Sequence, residues 1–239
     1  MEFTSLFQVR FDECAADGAA RASTLLRYTI EVAFAHSTAK GFPLAWYDAR
    51  GLYWLVRRAR LELRRPVPYG VRVWVTTRVV GFRRIWARRR NLVWEEGGPA
   101  VGTITMDWVF TDRQGSPIRV VPEMVQAFPP LAERFTVQAL DLGIRPAGAR
   151  RDDHVVPAHQ ADPRGHVNTA AYVDLFEDGL VALCVATQQR PVVFDFEFLR
   201  QSVPGDTVSR SLWSASDAWR MELTTPQGEA IARGVRATV

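Results

Sequence analysis

Seven consecutive residues, Asp162-Pro163-Arg164-Gly165-His166-Val167-Asn168, bring a carboxylate, an imidazole and an amide together just before a helical pattern. A helix start presents backbone N–H groups without intrahelical partners, and these attract negative charge. An acid, an imidazole and oxyanion donors in one loop suit attack by water on a carbonyl. In that scheme Asp162 positions or deprotonates the water. An aspartate of ordinary pKa is ionised but weakly basic, so it needs a partly apolar pocket to be effective. His166 serves as a donor to the carbonyl or as a base oriented by Asp162. Asn168 fits a helix N-cap, which fixes the N–H groups of Gly165 and His166 as an oxyanion hole. Each residue also has a plain structural role. An aspartate before proline commonly bonds nearby turn amides, a loop histidine packs beneath its loop, and a loop arginine is solvated. Arg164 can also pair with Asp162 and lower its basicity.

The elements that must hold this loop occur twice in the chain. Val9-Arg10-Phe11 reads as a short strand and Asp17-Gly18 as a turn. Ser23 reads as the N-cap of a helix to about His36, with Leu26, Ile30, Ala33 and Phe34 on one face, ended by Lys40-Gly41-Phe42-Pro43. In the second half Val155-Val156 is a short strand, Arg164-Gly165 a turn and Asn168 a cap. Tyr172, Leu175, Phe176, Gly179, Leu183 and Ala186 form a helical stripe that ends between Gln188 and Pro191. Glu31 and Glu177 fall at similar places in the two helices, and Glu177 is expected in solvent. Alternating apolar residues follow each helix: Leu52, Trp54 and Val56, then Val71, Val73 and Val75, and later Phe194, Phe196 and Phe198. This is an α+β pattern, repeated once. An antiparallel sheet with one apolar face needs cover, and the long helix of each half supplies it. The expected divisions are residues 1–128, a linker at 129–153 rich in proline and glycine, and a C-terminal unit at 154–239 carrying the reactive loop.

Composition excludes several classes. Of 239 residues 47% are apolar, which argues against wholesale disorder. No uncharged apolar run reaches about 18 residues, so no membrane span is expected. The start, Met1-Glu2-Phe3-Thr4-Ser5, lacks a basic segment and an apolar core, so no signal peptide is read and a cytoplasmic protein is expected. Cys14 and Cys184 make no disulfide framework and have no zinc-ligand spacing. Cys184 is expected as inert packing in the helix. The net charge is +4, yet Lys40 is the only lysine among 30 basic residues, which points to a composition bias toward arginine. Arg83-Arg84 and Arg88-Arg89-Arg90 are expected on a solvated strand face, with an acidic carrier protein or a coenzyme phosphate as the alternative. No basic strip interleaved with aromatic platforms is present, so nucleic acid is not an expected partner. His36 and His159 are expected near the surface or behind the site.

The order of these pieces resembles the acyl-ACP thioesterases of plants and bacteria, a tandem, or double, hotdog fold. The resemblance covers about residues 8–125 and 150–239. It rests on Gly51 through Arg57, on Arg65-Pro66 with Gly70, and on Thr76-Thr77. It continues in Asp107 through Asp112, Arg119-Val120-Val121-Pro122, and Asp162 through Asn168 with Tyr172. The family pattern at the last of these is Asp-x-Asn-x-His-Val-Asn-Asn. It implies an Asp, an Asn and a His in this loop, with a Glu or Cys on a later strand. Asp162 and His166 match two of them. Arg164 stands at the Asn position, and Gln201 and Ser202 stand at the later acid and thiol positions. Gln201 can orient a water but cannot take its proton, and Ser202 would need a base within about 3 Å to act as a nucleophile. Ala15 stands where a second acid would be, so the first half is expected to shape the acyl pocket rather than form a second site. Helix glutamates act as the base in some hotdog thioesterases, which keeps Glu177 in view.

The resemblance implies hydrolysis of an acyl thioester on acyl carrier protein or coenzyme A, with no metal or redox cofactor. Catalytic roles then fall to Asp162, His166 and Gln201, with Gly165, Asn168, Arg164 and Ser202 around the substrate. Arg164 can also reach a phosphopantetheine phosphate. Two alternatives remain: another thioester chemistry on the same fold, such as dehydration, hydration or decarboxylation, and an acyl-binding protein without turnover. A fused pseudo-dimer can stand as a monomer or pair as a homodimer.

Overall fold

The computed structural model describes residues 2–131, 133–186 and 190–238. They fall into two compact units that divide between Gln138 and Ala139.

The first unit has five antiparallel strands: β1 (Phe3–Gln8), β2 (Tyr53–Leu63), β3 (Arg72–Arg83), β4 (Trp86–Glu95) and β5 (Ala100–Thr111). Their order across the sheet is β1-β3-β4-β5-β2. Three helices accompany them: α1 (Ala22–Ala39), α2 (Leu44–Arg50) and α3 (Pro122–Ala127). Strand alternation decides which face is covered. Ala59, Leu61 and Leu63 of β2 are buried, as are Val73 and Val75 of β3. The buried face meets α1, where Thr29 Oγ1 lies 3.4 Å from Met106 Sδ and Tyr28 stacks on Phe7 of β1.

The second unit has β6 (Arg150–Val155), β7 (Val192–Phe198), β8 (Thr207–Ala215), β9 (Ala218–Thr224) and β10 (Ala230–Thr238), ordered β6-β8-β9-β10-β7, with one long helix, α4 (Thr169–Val181). Adding five to each strand number of the first unit reproduces this order, so the repetition read from the sequence is a repetition of topology. Each unit is an antiparallel sheet with one long helix, the hotdog arrangement expected. Helix α4 sits close to its sheet because two glycines leave room. A Cβ on Gly179 would lie 2.3 Å from Leu212 Cδ1, and one on Gly234 would lie 2.7 Å from Phe196 Cε1. Phe176 of α4 meets Phe196 edge-on.

Several boundaries differ from expectation. The first strand is Phe3–Gln8, and Phe11–Glu13 forms a 3-10 turn instead of a strand end. Helix α1 starts after Arg21, not Ser23, and runs on to Ala39; Ser23 is fully buried inside it. Helix α4 stops at Val181, so Leu183 and Ala186 of the expected stripe lie beyond it. Gln188 is outside the described residues. Cys184 is exposed, past the helix, at φ 57°, not packed within it.

Nor is the segment expected as a linker free chain. In the first unit, Glu133 O lies 2.8 Å from where a Gly81 Cβ would be, and the Arg88 guanidinium sits 4.6 Å over Phe135. In the second, Leu140 and Leu142 pack on Trp213, and the Leu140 amide donates to Glu197 Oε2 at 3.1 Å. These stretches cover strand faces that would otherwise meet solvent, which explains why Asp195 and Glu197 are buried.

Candidate active site

The loop before α4 is a tight hairpin frame. The Gly165 amide donates to Asp162 O at 2.9 Å, the Asp162 amide donates to His166 O at 2.7 Å, and Ala161 bridges Val167. Pro163 presets the first turn position, and Gly165 takes φ 81°, a conformation that costs an L side chain roughly 1–2 kcal/mol. The Asp162 carboxylate completes the frame: Oδ1 accepts the amides of Arg164 at 2.8 Å and His166 at 3.1 Å. Asp162 therefore holds His166 by its backbone and not by its ring. Both side chains are half-buried. Among the described residues, no partner is found for Asp162 Oδ2 or for the His166 ring, so both remain available to a substrate.

The expected oxyanion donors are different. The Gly165 and His166 amides are spent inside the loop, on Asp162 O and Asp162 Oδ1. A turn this tight satisfies its own amides, so the proposed oxyanion hole from these two groups is corrected. Asn168 is the N-cap: its Oδ1 accepts the Ala170 amide at 2.9 Å. Its role at the substrate is thus indirect, through the helix start. Arg164 is half-buried.

The two later positions separate. Gln201 is exposed on the stretch after β7. Ser202 is 2% exposed, its carbonyl accepts the Val167 amide at 2.8 Å, and it lies beside the Tyr172 hydroxyl. Burial raises the pKa of that hydroxyl, and the neighbouring Ser202 groups partly offset the rise. A side chain so enclosed is a support for the loop, not an exposed nucleophile. Glu177, expected in solvent, is 5% exposed, and its charge acts on the Arg236 guanidinium. Glu31 is exposed, so the two glutamates are not equivalent.

The first unit carries the same frame without the carboxylate and imidazole at the matching positions. Gly18 donates to Ala15 O at 2.9 Å, Ala15 donates to Ala19 O at 2.8 Å, Cys14 bridges Ala20, and Gly18 has φ 80°. The match places Ala15 at Asp162, Ala19 at His166 and Arg21 at Asn168. Asp17, at the Arg164 position, supplies the carboxylate that accepts the Ala19 amide at 3.1 Å. Arg21 makes no side-chain cap; its guanidinium instead donates to the Cys14 and Asp12 carbonyls of the preceding loop. The correspondence extends to the later stretch: Ala20 donates to Val67 O as Val167 does to Ser202 O. Beside this loop, Glu13 is buried and accepts the Tyr28 hydroxyl at 2.5 Å. Burial, then the Glu13 bond, raises the Tyr28 pKa.

The first unit also contains an apolar cavity of about 40 Å³, lined among others by Phe34, Trp54, Trp108 and Phe128. Three polar residues reach its wall, Ser37, Tyr47 and Arg89. Arg89 is 9% exposed and His36 is 2% exposed, against the solvated strand face and surface histidine expected of them. The other arginines of that run are paired, Arg88 with Asp107 and Arg90 with Glu133, so the cluster is no docking patch for phosphate. A signal for Arg89 was present in the alternation Ala87, Arg89, Asn91, Val93, all of which are buried. The description of a basic cluster masked it.

Among the described residues no group of His, Cys, Asp and Glu could hold a metal, and no helix is long and apolar enough to cross a membrane. Among curated proteins nothing matches the chain. A provisionally assigned oleoyl thioesterase from Lactobacillus plantarum is 18% identical, with a TM-score of 0.87 over 100% of this chain and 97% of that one. An acyl-ACP thioesterase from Bacteroides thetaiotaomicron is 16% identical, with a TM-score of 0.84 over 99% and 97%. The 12:0-ACP thioesterase from Umbellularia californica is 18% identical, with a TM-score of 0.81 over 99% and 96%. At these identities the likeness is one of fold. The family model for the acyl-ACP thioesterase N-terminal domain matches residues 1–128.

Proposed function

The chain belongs to the acyl-ACP thioesterase family and is a thioester hydrolase, and we propose that hydrolysis takes place at the Asp162–His166 loop of the C-terminal unit. The observation that carries this is the hairpin frame, which fixes both residues and leaves Asp162 Oδ2 and the His166 ring without a partner among the described residues. In this reading the imidazole N–H donates to the thioester carbonyl oxygen, since the loop amides are engaged elsewhere. Asp162 Oδ2 accepts a proton from the attacking water. The water oxygen bonds to the carbonyl carbon, the C–S bond breaks, and the proton passes from Asp162 to the leaving thiolate. Gln201, exposed beside the loop, orients the water without taking its proton. Arg164, in the same loop, would meet the phosphopantetheine phosphate of an acyl-ACP substrate.

Positioned acid–base groups contribute about 10²–10⁴-fold. We therefore expect Asp162→Asn and His166→Ala each to lower kcat/KM on acyl-ACP by at least about 10²-fold with unchanged Tm. Rates within about threefold of wild type for both variants would remove this loop from the chemistry.

A further inference from the structure

Arg89 of β4 is a buried cation at the wall of the apolar cavity in the first unit. Its Nη1 donates to His36 Nδ1 at 3.2 Å and to Thr77 Oγ1 at 3.4 Å, and its guanidinium lies 5.3 Å from the Phe128 ring centre. Among the described residues no carboxylate pairs with it, and its Nε and Nη2 have no hydrogen-bond partner. Burial lowers its pKa to about 10, so it stays charged at neutral pH. Its neighbours bring no negative charge. Burial, then the Arg89 charge, lowers the His36 pKa to about 4, so that imidazole is neutral. Ser37 Oγ donates to Phe42 O at 3.0 Å, and Tyr47 Oη lies 2.8 Å from Ser37 Oγ, so these hydroxyls are engaged with each other and with the backbone. Val79, Met124 and Phe128 add only apolar surface to the wall.

A cation held out of water is costly unless hydrogen bonds and an opposite charge complete it. Folding has already stripped Arg89 of its hydration, so only the dehydration of an incoming anion opposes binding. That favours a monovalent anion over sulfate or phosphate. The unbonded Nε–H and Nη2–H form one side of the planar guanidinium, a fork that a single small acceptor or a carboxylate can take. Size sets a second limit. One water needs roughly 10–15 Å³ of such space, so a cavity of about 40 Å³ admits about two or three waters or one small anion, and no acyl chain.

We propose that this cavity is a binding site for one small monovalent anion, of the size of chloride or formate, held by Nε and Nη2 of Arg89. All of its lining residues belong to the first unit. The inference is independent of the Asp162–His166 reading.

The test is thermal unfolding of the whole chain at fixed ionic strength, as gluconate, too large for the cavity, is exchanged for chloride or formate. Wild type is expected to gain Tm saturably, by about 3–6 °C once the anion stands about tenfold above its Kd. Arg89→Met is expected to lose that gain, and to match or exceed wild type in gluconate because the uncompensated charge is gone. A bromide-soaked crystal of wild type is expected to show an anomalous peak within hydrogen-bond reach of Arg89 Nε and Nη2. A larger gain in formate than in chloride assigns the site to a carboxylate, and the reverse assigns it to a halide. A wild-type Tm indifferent to the exchange overturns the inference, as does an equal response in Arg89→Met; water is then the occupant. A bromide peak without a Tm gain is binding at crystal concentration only and overturns it too. If Arg89→Met does not fold, Arg89→Lys decides, since it keeps the charge and loses the fork. A smaller gain in that variant is expected, and an undiminished one overturns the inference.

Discussion

His36 illustrates how a residue's surroundings set its chemistry. Burial first, and the Arg89 charge second, hold its folded pKa near 4, against an ordinary value of 6.5. A histidine with a depressed folded pKa stays neutral in the fold and is protonated first in the unfolded chain. Its contribution to stability is complete above about pH 6.5 and is lost as pH falls toward 4, a difference of about 3 kcal/mol. The measured Tm of wild type is therefore expected to fall between pH 7 and pH 4.5 by more than that of His36→Asn, whose amide oxygen still accepts from Arg89 but does not titrate. Equal slopes for the two proteins would show that His36 is not the group responsible. The turn that holds Asp162 and His166 and the cap at Asn168 were legible in the sequence because short-range spacing sets a loop. The engagement of the Gly165 and His166 amides was not, because it depends on where a carboxylate oxygen turns. Arg89 and His36 come together across 53 residues, and no local pattern joins a helix position to a strand position.

Elements were legible where period and punctuation agreed. Strand alternation placed β2, β3 and β7, and the asparagine before Thr169 marked the start of α4. The start of α1 was misplaced because Ser23 is the commoner cap by type, whereas the helix starts after Arg21 with no side-chain cap at all. The end of α4 was misplaced because apolar residues continue past Val181, and periodicity alone does not stop a helix. The cap at Asn168 carries the prediction for this scale. Removing its side-chain oxygen leaves the Ala170 amide without a protein acceptor, at a cost of about 1 kcal/mol. Asn168→Ala should lower Tm by about 2–4 °C for a chain of this size. It should also reduce kcat more than it raises KM, since the helix start aims His166. Asn168→Asp, which keeps the acceptor, should restore both. An Asn168→Ala enzyme with unchanged Tm would deny the cap any role in stability.

The whole molecule repeats one scaffold with different side chains in the two loops. The strand order repeats, the two loops share the same closing hydrogen bonds, and the left-handed glycines, Gly18 and Gly165, stand at the same place. What differs is the side chains that the frame presents. Ala15 and Ala19 occupy the places of Asp162 and His166, and Asp17 has taken over the structural bond to the loop amide. The frame can therefore persist without Asp162 and His166, because a carboxylate at either of two positions accepts the loop amide and no imidazole is needed. If hydrolysis takes place at the Asp162–His166 loop as proposed, each chain has one hydrolytic site. Titration with a non-hydrolysable thioether analogue of an acyl-pantetheine substrate should saturate at one molecule per chain in wild type. Asp17→Asn should leave kcat/KM within about twofold, whereas the Asp162 variant loses it. Two equivalents bound per chain, or a rate that falls equally with Asp17 and Asp162, would mean that the Ala15 loop still handles substrate.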